Sequence, residues 1–218
     1  MTNTDWNLYR KQFPVRYWEQ GGFDKELVEK LNYWKSKNQK INTGLDVGCG
    51  TLGTLVFRDF ALENNIKVDM LDLYVDKKPD WMRNKIDWSS EEKYDIIVAR
   101  GSINYLSEDQ IKKLKSMLSD GGLLIVNTFL SPPTTDWSER TATNESGEIG
   151  LERSRLVGNV VEHQIIFDSY SVSHTFFYYT REKYEELFGE VFFESYAKNS
   201  SLLIVVKDRK FDFNFNID

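Results

Sequence analysis

Hydrophobic positions recur at two periods along this chain, and the two periods alternate. In FDKELVEKLNYWKSKN (23–38), Leu27, Val28, Leu31 and Trp34 lie near helical spacing. INTGLDV (41–47) follows as a short strand that runs into glycines. Helical spacing returns in TLVFRDFALENN (54–65), with Leu55, Val56, Phe60 and Leu62 as its apolar members. IKVDMLDL (66–73) sets Ile66, Val68 and Met70 against polar neighbours, which is the period of a second strand ending in acid. PDWMRNK (79–85), with Pro79 near its start, predicts a short helix. A brief third strand is expected around Ile86, ending at Asp87.

YDIIVAR (94–100) reads as a buried strand. Ser107 with Gln110 three residues on is a capping-box pattern and opens a helix holding Ile111, Leu114 and Leu118. That helix is expected to stop at Asp120, Gly121 and Gly122, since glycine accepts the left-handed conformation of a helix end. LLIVNTF (123–129) is another buried strand. Residues 131–158 carry Pro132, Pro133, Gly147, Gly150 and Gly158 among polar residues and read as a loop. Alternating strands at 159–168 and 171–179 form a hairpin, and Thr180 caps the helix REKYEELF. VFFESYA and SLLIVVK close the pattern as strands, and FDFNFNI (211–217) adds an edge strand.

Strands alternating with helices imply a doubly wound α/β fold around a mostly parallel sheet. The last two strands lie too close for a crossover helix, so they pair antiparallel. The expected organisation is an N-terminal helical segment at 1–40, a core at 41–130, a loop and inserted β-hairpin at 131–179, and a helix and strands completing the core at 180–218.

Composition narrows the class. With 40% hydrophobic and 28% charged residues the chain is globular rather than disordered. A net charge of −6 disfavours a nucleic-acid footprint, which needs a basic excess. One cysteine rules out an intramolecular disulfide, and two histidines without a Cys pair make no metal site. The opening MTNTDWNLYRK lacks the apolar stretch of a signal peptide, and no run of about 18 apolar residues occurs, so a cytoplasmic protein with no membrane span is expected.

The chemistry gathers at LDVGCGTLG (45–53). Gly48, Gly50 and Gly53 fit G-x-G-x-x-G between a strand and a helix, where backbone meets a ligand closely. Asp72 stands 22 residues after Gly50, close to the interval of about 20 at which an acid meets ribose hydroxyls. An adenosine ligand is therefore expected. Asp46 argues about its charge. A carboxylate beside the loop repels a pyrophosphate and favours a cationic ligand; alternatively it braces the loop's own backbone.

LDVGCG, the LDL holding Asp72, the KID holding Asp87, YDIIVARGSINYL and DGGLLIVNTF together resemble the class I S-adenosylmethionine-dependent methyltransferase family. The resemblance covers residues 40–130 well and 180–207 loosely, and implies a Rossmann-like fold with S-adenosylmethionine as cofactor and S-adenosylhomocysteine as product. It implies that Gly48, Cys49 and Gly50 face the methionyl part, with Asp46 supporting the loop or the ammonium group. It implies that Asp72 and Leu73 meet the ribose end, Asp87 the adenine, and Trp88 and Arg100 the adenine wall and pocket floor. One position departs from the family: its third glycine falls here on Leu52, and glycine comes one later at Gly53. No N-P-P-Y-like sequence follows the strand at 94–100, where the chain reads RGSINYL; with the acidic balance this disfavours a nucleobase and leaves a small-molecule acceptor. Two other classes stay open: a nicotinamide-dependent oxidoreductase or epimerase, and a cofactor-binding partner subunit without catalysis.

The two histidines are the candidate bases. With Ser169 and Tyr170 as a two-residue turn, residue 165 would face 174 and 163 would face 176, placing His163 and His174 diagonally on one apolar face. Trp6, Tyr9, Phe13, Tyr17 and Trp18, interleaved with Arg10, Lys11 and Arg16, read either as an ordinary helix packed on the sheet or as a lid over cofactor and acceptor.

Overall fold

Gly44 explains how the first helix of the core sits on the sheet. A Cβ there would come within 2.7 Å of the Phe57 ring, so the missing side chain lets the helix Leu55–Glu63 (α2) close on the strand Thr43–Val47 (β1). The computed structural model describes residues 22–37, 40–128, 132–144, 146–197 and 200–207. The N-terminal aromatics and the 211–217 strand lie outside the described residues.

Around β1 the main sheet is built from Lys67–Leu71 (β2), Tyr94–Ala99 (β3), Leu118–Thr128 (β4), Phe192–Ala197 (β9) and Ser200–Val206 (β10). Its order is β2-β1-β3-β4-β10-β9, with β2, β1, β3 and β4 parallel and the last two strands antiparallel, as expected. Each face carries a core. Ile97 and Ala99 point one way, into Ile111, Leu114, Tyr184 and Leu187. Ile96 and Val98 point the other, into Phe57, Phe60, Leu27 and Leu31. The covering helices are Gly22–Lys37 (α1) and α2 on one side, and Glu108–Met117 (α3) and Arg181–Phe188 (α4) on the other. Ser107 caps α3 in a full capping box with Gln110, and Thr180 caps α4 by accepting from Lys183 N.

Several local expectations change. In α2 the buried stripe is Phe57, Phe60 and Ala61, and Leu62 faces solvent. Residues 79–85 form turns rather than a helix, because their backbone is satisfied by the edge of β2: Arg83 N donates to Val68 O and Asn84 O accepts from Met70 N. The third strand is reduced there to one bridge, Met70 with Lys85. Helix α3 ends at Met117, ahead of the glycines. Gly121, at φ +70, lies inside β4, and its N–H donates to Lys207 O.

The region expected to be a loop holds two strands, Ser138–Thr143 (β5) and Ile149–Val157 (β6). They join Val160–Ile166 (β7) and Ser171–Phe177 (β8) in an antiparallel accessory sheet of order β5-β6-β7-β8, so the expected hairpin is the half of it that meets the core. Register corrects the placement of the histidines. His163 pairs directly with His174, and Ile165 with Val172. The turn spans Phe167–Tyr170, closed by Phe167 N to Tyr170 O at 2.8 Å and by contact of their two rings. The shift is two residues, which preserves the face because side chains alternate with period two.

Candidate active site

The carboxyl ends of β1, β2 and β3 meet where the strand order turns, at the crevice in which open α/β sheets bind ligands. A pocket occupies that crevice. Gly48 follows β1, Asp72, Leu73 and Tyr74 follow β2, and Ser102 and Tyr105 come from the segment after β3; Trp88 also lines the wall.

The glycine loop is held from three sides. Gly48, at φ +65, lies so close to Ser102 that an added Cβ would overlap the Ser102 Cβ, while the Ser102 hydroxyl donates to Val47 O. Asp72 accepts Gly50 N at 2.9 Å, Tyr74 N at 2.9 Å and Val75 N at 3.1 Å. Asp46 is fully buried and accepts the N–H and the hydroxyl of Thr54, the residue that caps α2, at 2.7 and 2.9 Å. Burial pushes Asp46 up to about 7 against those two hydrogen bonds.

Of the residues singled out by sequence, Gly48, Asp72, Leu73 and Trp88 come together in the pocket lining, and Asp46, Cys49, Gly50, Asp87 and Arg100 lie off it. Asp46 is sealed beneath the loop, which matches bracing rather than direct contact. Cys49 packs toward the α1 and α2 core. Gly50 shapes the loop at φ +72. Asp87 is solvent-exposed and accepts from Ser89 N, closing its own turn. Arg100 pairs with Asp24 of α1 at 2.8 Å, which draws its guanidinium away from a pocket floor. Asp69, a second acid of β2, is turned away and held by Arg83 and the Tyr94 hydroxyl.

Sequence reasoning missed Ser102, Tyr105 and Tyr74. The signal for Ser102 and Tyr105 was topological: RGSINYL follows the strand beside β1, so it stands over the glycine loop; Tyr74 follows β2, the strand on the other side of β1. The 3-10 turn Ile103–Tyr105 also carries the accessory sheet. Asn104 Nδ2 donates to Phe177 O at 3.0 Å, and the Tyr179 hydroxyl donates to Leu106 O at 2.8 Å. Among the described residues, no three His, Cys, Asp or Glu side chains are grouped to hold a metal ion, and no helix is long and apolar enough to cross a membrane.

The groups present fit an adenosyl ligand. The loop offers glycine backbone where a side chain would collide, Asp72 offers a carboxylate at the end of β2, and the buried indole N–H of Trp88 has no hydrogen-bond partner among the described residues. Residues 17–191 match the family of methyltransferase domains. The chain belongs to that family and is a class I S-adenosylmethionine-dependent methyltransferase. The nicotinamide-dependent and non-catalytic alternatives give way to it.

Solved structures share the fold at low identity. A 1,6-didemethyltoxoflavin-N1-methyltransferase of Burkholderia thailandensis, crystallised with 1,6-didemethyltoxoflavin and S-adenosylhomocysteine, is 14% identical with a TM-score of 0.51, over 87% of this chain and 80% of that one. The CMeT domain of the citrinin polyketide synthase is 13% identical with a TM-score of 0.52, over 84% and 52%. The apo methyltransferase SibL is 13% identical with a TM-score of 0.51, over 89% and 57%. Curated proteins give no match.

Proposed function

We propose that this methyltransferase acts on a small molecule, held where the cofactor pocket meets the accessory sheet. The observation that carries the reading is the position of Tyr105. Its ring lines the pocket and lies 6.2 Å from the His174 ring and 5.9 Å from the Phe176 ring of β8. Tyr105 thus joins the pocket wall to aromatic side chains of the accessory sheet, an apolar wall that suits a small ligand. In this reading residues 41–128 and 180–207 hold the cofactor and 132–179 cover the acceptor. The Burkholderia enzyme, whose bound compound is small, is consistent with it.

S-adenosylmethionine supplies an activated methyl group on a sulfonium, so the protein mainly positions the reactants. Asp72, at the end of β2 in the pocket lining, accepts from the ribose hydroxyls. Gly48 and the loop backbone face the methionyl part. Leu73 and Tyr74, both exposed at the mouth, and Trp88 flank the adenine. Two measurements test this. Titration calorimetry should show S-adenosylhomocysteine binding, and absence of binding at millimolar ligand overturns the cofactor assignment. Labelled methyl groups should then appear in members of a small-molecule library; label only in protein or nucleic acid overturns the acceptor assignment.

A further inference from the structure

Where a third strand was expected the chain turns, and the turn separates two neighbouring side chains. Asp87 O accepts Ser90 N at 3.2 Å, which places Trp88 and Ser89 at the centre of the turn. The Asp87 carboxylate accepts the Ser89 hydroxyl and, at 2.8 Å, Ser89 N, the way short acids brace a turn. Those bonds, the hydroxyl first, hold Asp87 below the usual carboxylate range, so it is ionised, exposed and tied into its own turn. Trp88, one residue on, goes the other way. Its indole packs against the core that holds Leu71 and Leu106, and lines the pocket with them.

The lining is unequal in polarity. Asp72 is the one charged side chain in it, and Trp88 shares the wall with Val47, Leu71, Leu73 and Leu106, whose side chains make no hydrogen bonds. Trp88 Nε1 is shut off from solvent and has no partner among the described residues. An indole nitrogen only donates, and burying its N–H without an acceptor gives up the hydrogen bond that water made to it. Such a group calls for an explanation, and a ligand that brings the acceptor supplies one. Adenine brings several. Its ring nitrogens N1, N3 and N7 carry lone pairs, and its 6-amino group is a donor.

We propose that Trp88 recognises the adenine of the cofactor by donating its indole N–H to a ring nitrogen of the base. The proposal rests on the methyltransferase reading of the same pocket. The resemblance in sequence put Asp87 at the adenine, as an acceptor for the 6-amino group. The turn that withdraws Asp87 delivers Trp88, so a donor stands where an acceptor was expected, and the base is read through a ring lone pair. Trp88 is in this sense a specificity-determining residue. It acts at binding, and no step of methyl transfer passes through it.

The test is calorimetry on the full chain with S-adenosylhomocysteine and with its 1-deaza, 3-deaza and 7-deaza forms, in each of which CH replaces one ring nitrogen. Trp88→Phe keeps an aromatic ring on the core and removes the donor. It should bind S-adenosylhomocysteine about tenfold more weakly than the unaltered chain does. One deaza form should lose about tenfold on the unaltered chain and almost nothing further on Trp88→Phe, because the bond it deletes is already gone. A residue that only packs would shift all four ligands alike, so equal deaza losses in the two proteins overturn the proposal. A second measurement needs no variant to fold. In the unaltered chain labelled with ¹⁵N-tryptophan, the assigned Trp88 indole N–H should move downfield with S-adenosylhomocysteine and much less with that deaza form. An indole resonance that answers all four ligands identically overturns the proposal as well. If the unaltered chain does not bind S-adenosylhomocysteine at all, the methyltransferase reading fails and the role of Trp88 falls with it.

Discussion

The carboxylate of Asp72 accepts the backbone N–H of Gly50 at 2.9 Å, so the acid at the end of β2 holds the glycine loop as well as facing the pocket. Its other oxygen secures the turn at Tyr74 and Val75. Asp72→Ala leaves all three N–H donors without their acceptor in a site that is almost fully buried. S-adenosylhomocysteine affinity should fall by about 1–3 kcal/mol, and the melting temperature should fall with it. Asp72→Asn keeps a carbonyl oxygen for one of the donors and should recover part of the stability and less of the affinity. Calorimetry and thermal melting on both variants check this; unchanged affinity in Asp72→Ala would remove the residue from the ligand.

Gly48→Ala meets two obstacles. Its φ of +65 costs a side chain roughly 1–2 kcal/mol, and the new Cβ overlaps that of Ser102. Ligand binding should be lost and stability lowered. Because the overlapping atom is a side-chain carbon, Gly48→Ala/Ser102→Gly should regain stability relative to Gly48→Ala alone. Urea unfolding of the two variants reads the difference; equal midpoints would show that the backbone angle carries the whole cost.

The parts of the fold legible in the sequence were those in which local chemistry and burial agree. β3 alternates between two cores, and Ser107 with Gln110 caps α3 whatever packs on it. β5 and β6 were not legible. SERTAT has no apolar alternation, and IGLERSRLV is only half-buried along its length, so their pairing is a long-range event. The site divides in the same way. Asp72 announced itself by its interval from Gly50. The contact of Glu152 with His163 did not, because it depends on a strand register that brings the two side chains together diagonally. The hairpin register failed by two residues because the turn centres on Asp168 and Ser169, one residue earlier than expected, with Phe167 facing Tyr170 across it.

The displaced third glycine has a steric cause. Gly53 sits at φ +77 under the Trp81 ring, whose Nε1 donates to Leu52 O at 3.0 Å. The loop is therefore clamped by the segment that replaces a third strand. Gly53→Ala should destabilise the protein through overlap with Trp81. Trp81→Ala should remove that overlap, so the double variant should be less destabilised than the sum of the single ones by about 1–2 kcal/mol. Additive losses in a double-mutant cycle would show that the clamp is not the constraint.

Two buried groups should give the protein opposing pH dependences over one window. Asp46, beneath Thr54 and near Asp72 and Arg100, is raised from 3.8 to about 7. Between those values the unfolded chain ionises it while the folded chain keeps its proton, so stability falls as pH rises. His174, facing His163 and Glu152, is lowered from 6.5 to about 3. Between those values the unfolded chain binds a proton that the folded chain refuses, so stability falls as pH drops. Each slope is about 1.4 kcal/mol per pH unit, and from pH 5 to 6.5 the two nearly cancel. Asp46→Asn leaves the histidine slope, so the variant should gain roughly 2 kcal/mol of stability across that interval. His174→Asn leaves the aspartate slope and should lose about as much over the same interval. The measurement is urea unfolding of both variants and the unaltered chain at pH 5 and 6.5. Opposite tilts around a flat parent support both assignments. A parent that tilts as strongly as either variant, or two variants that tilt the same way, would show that one of the two groups titrates near its ordinary value in the folded protein.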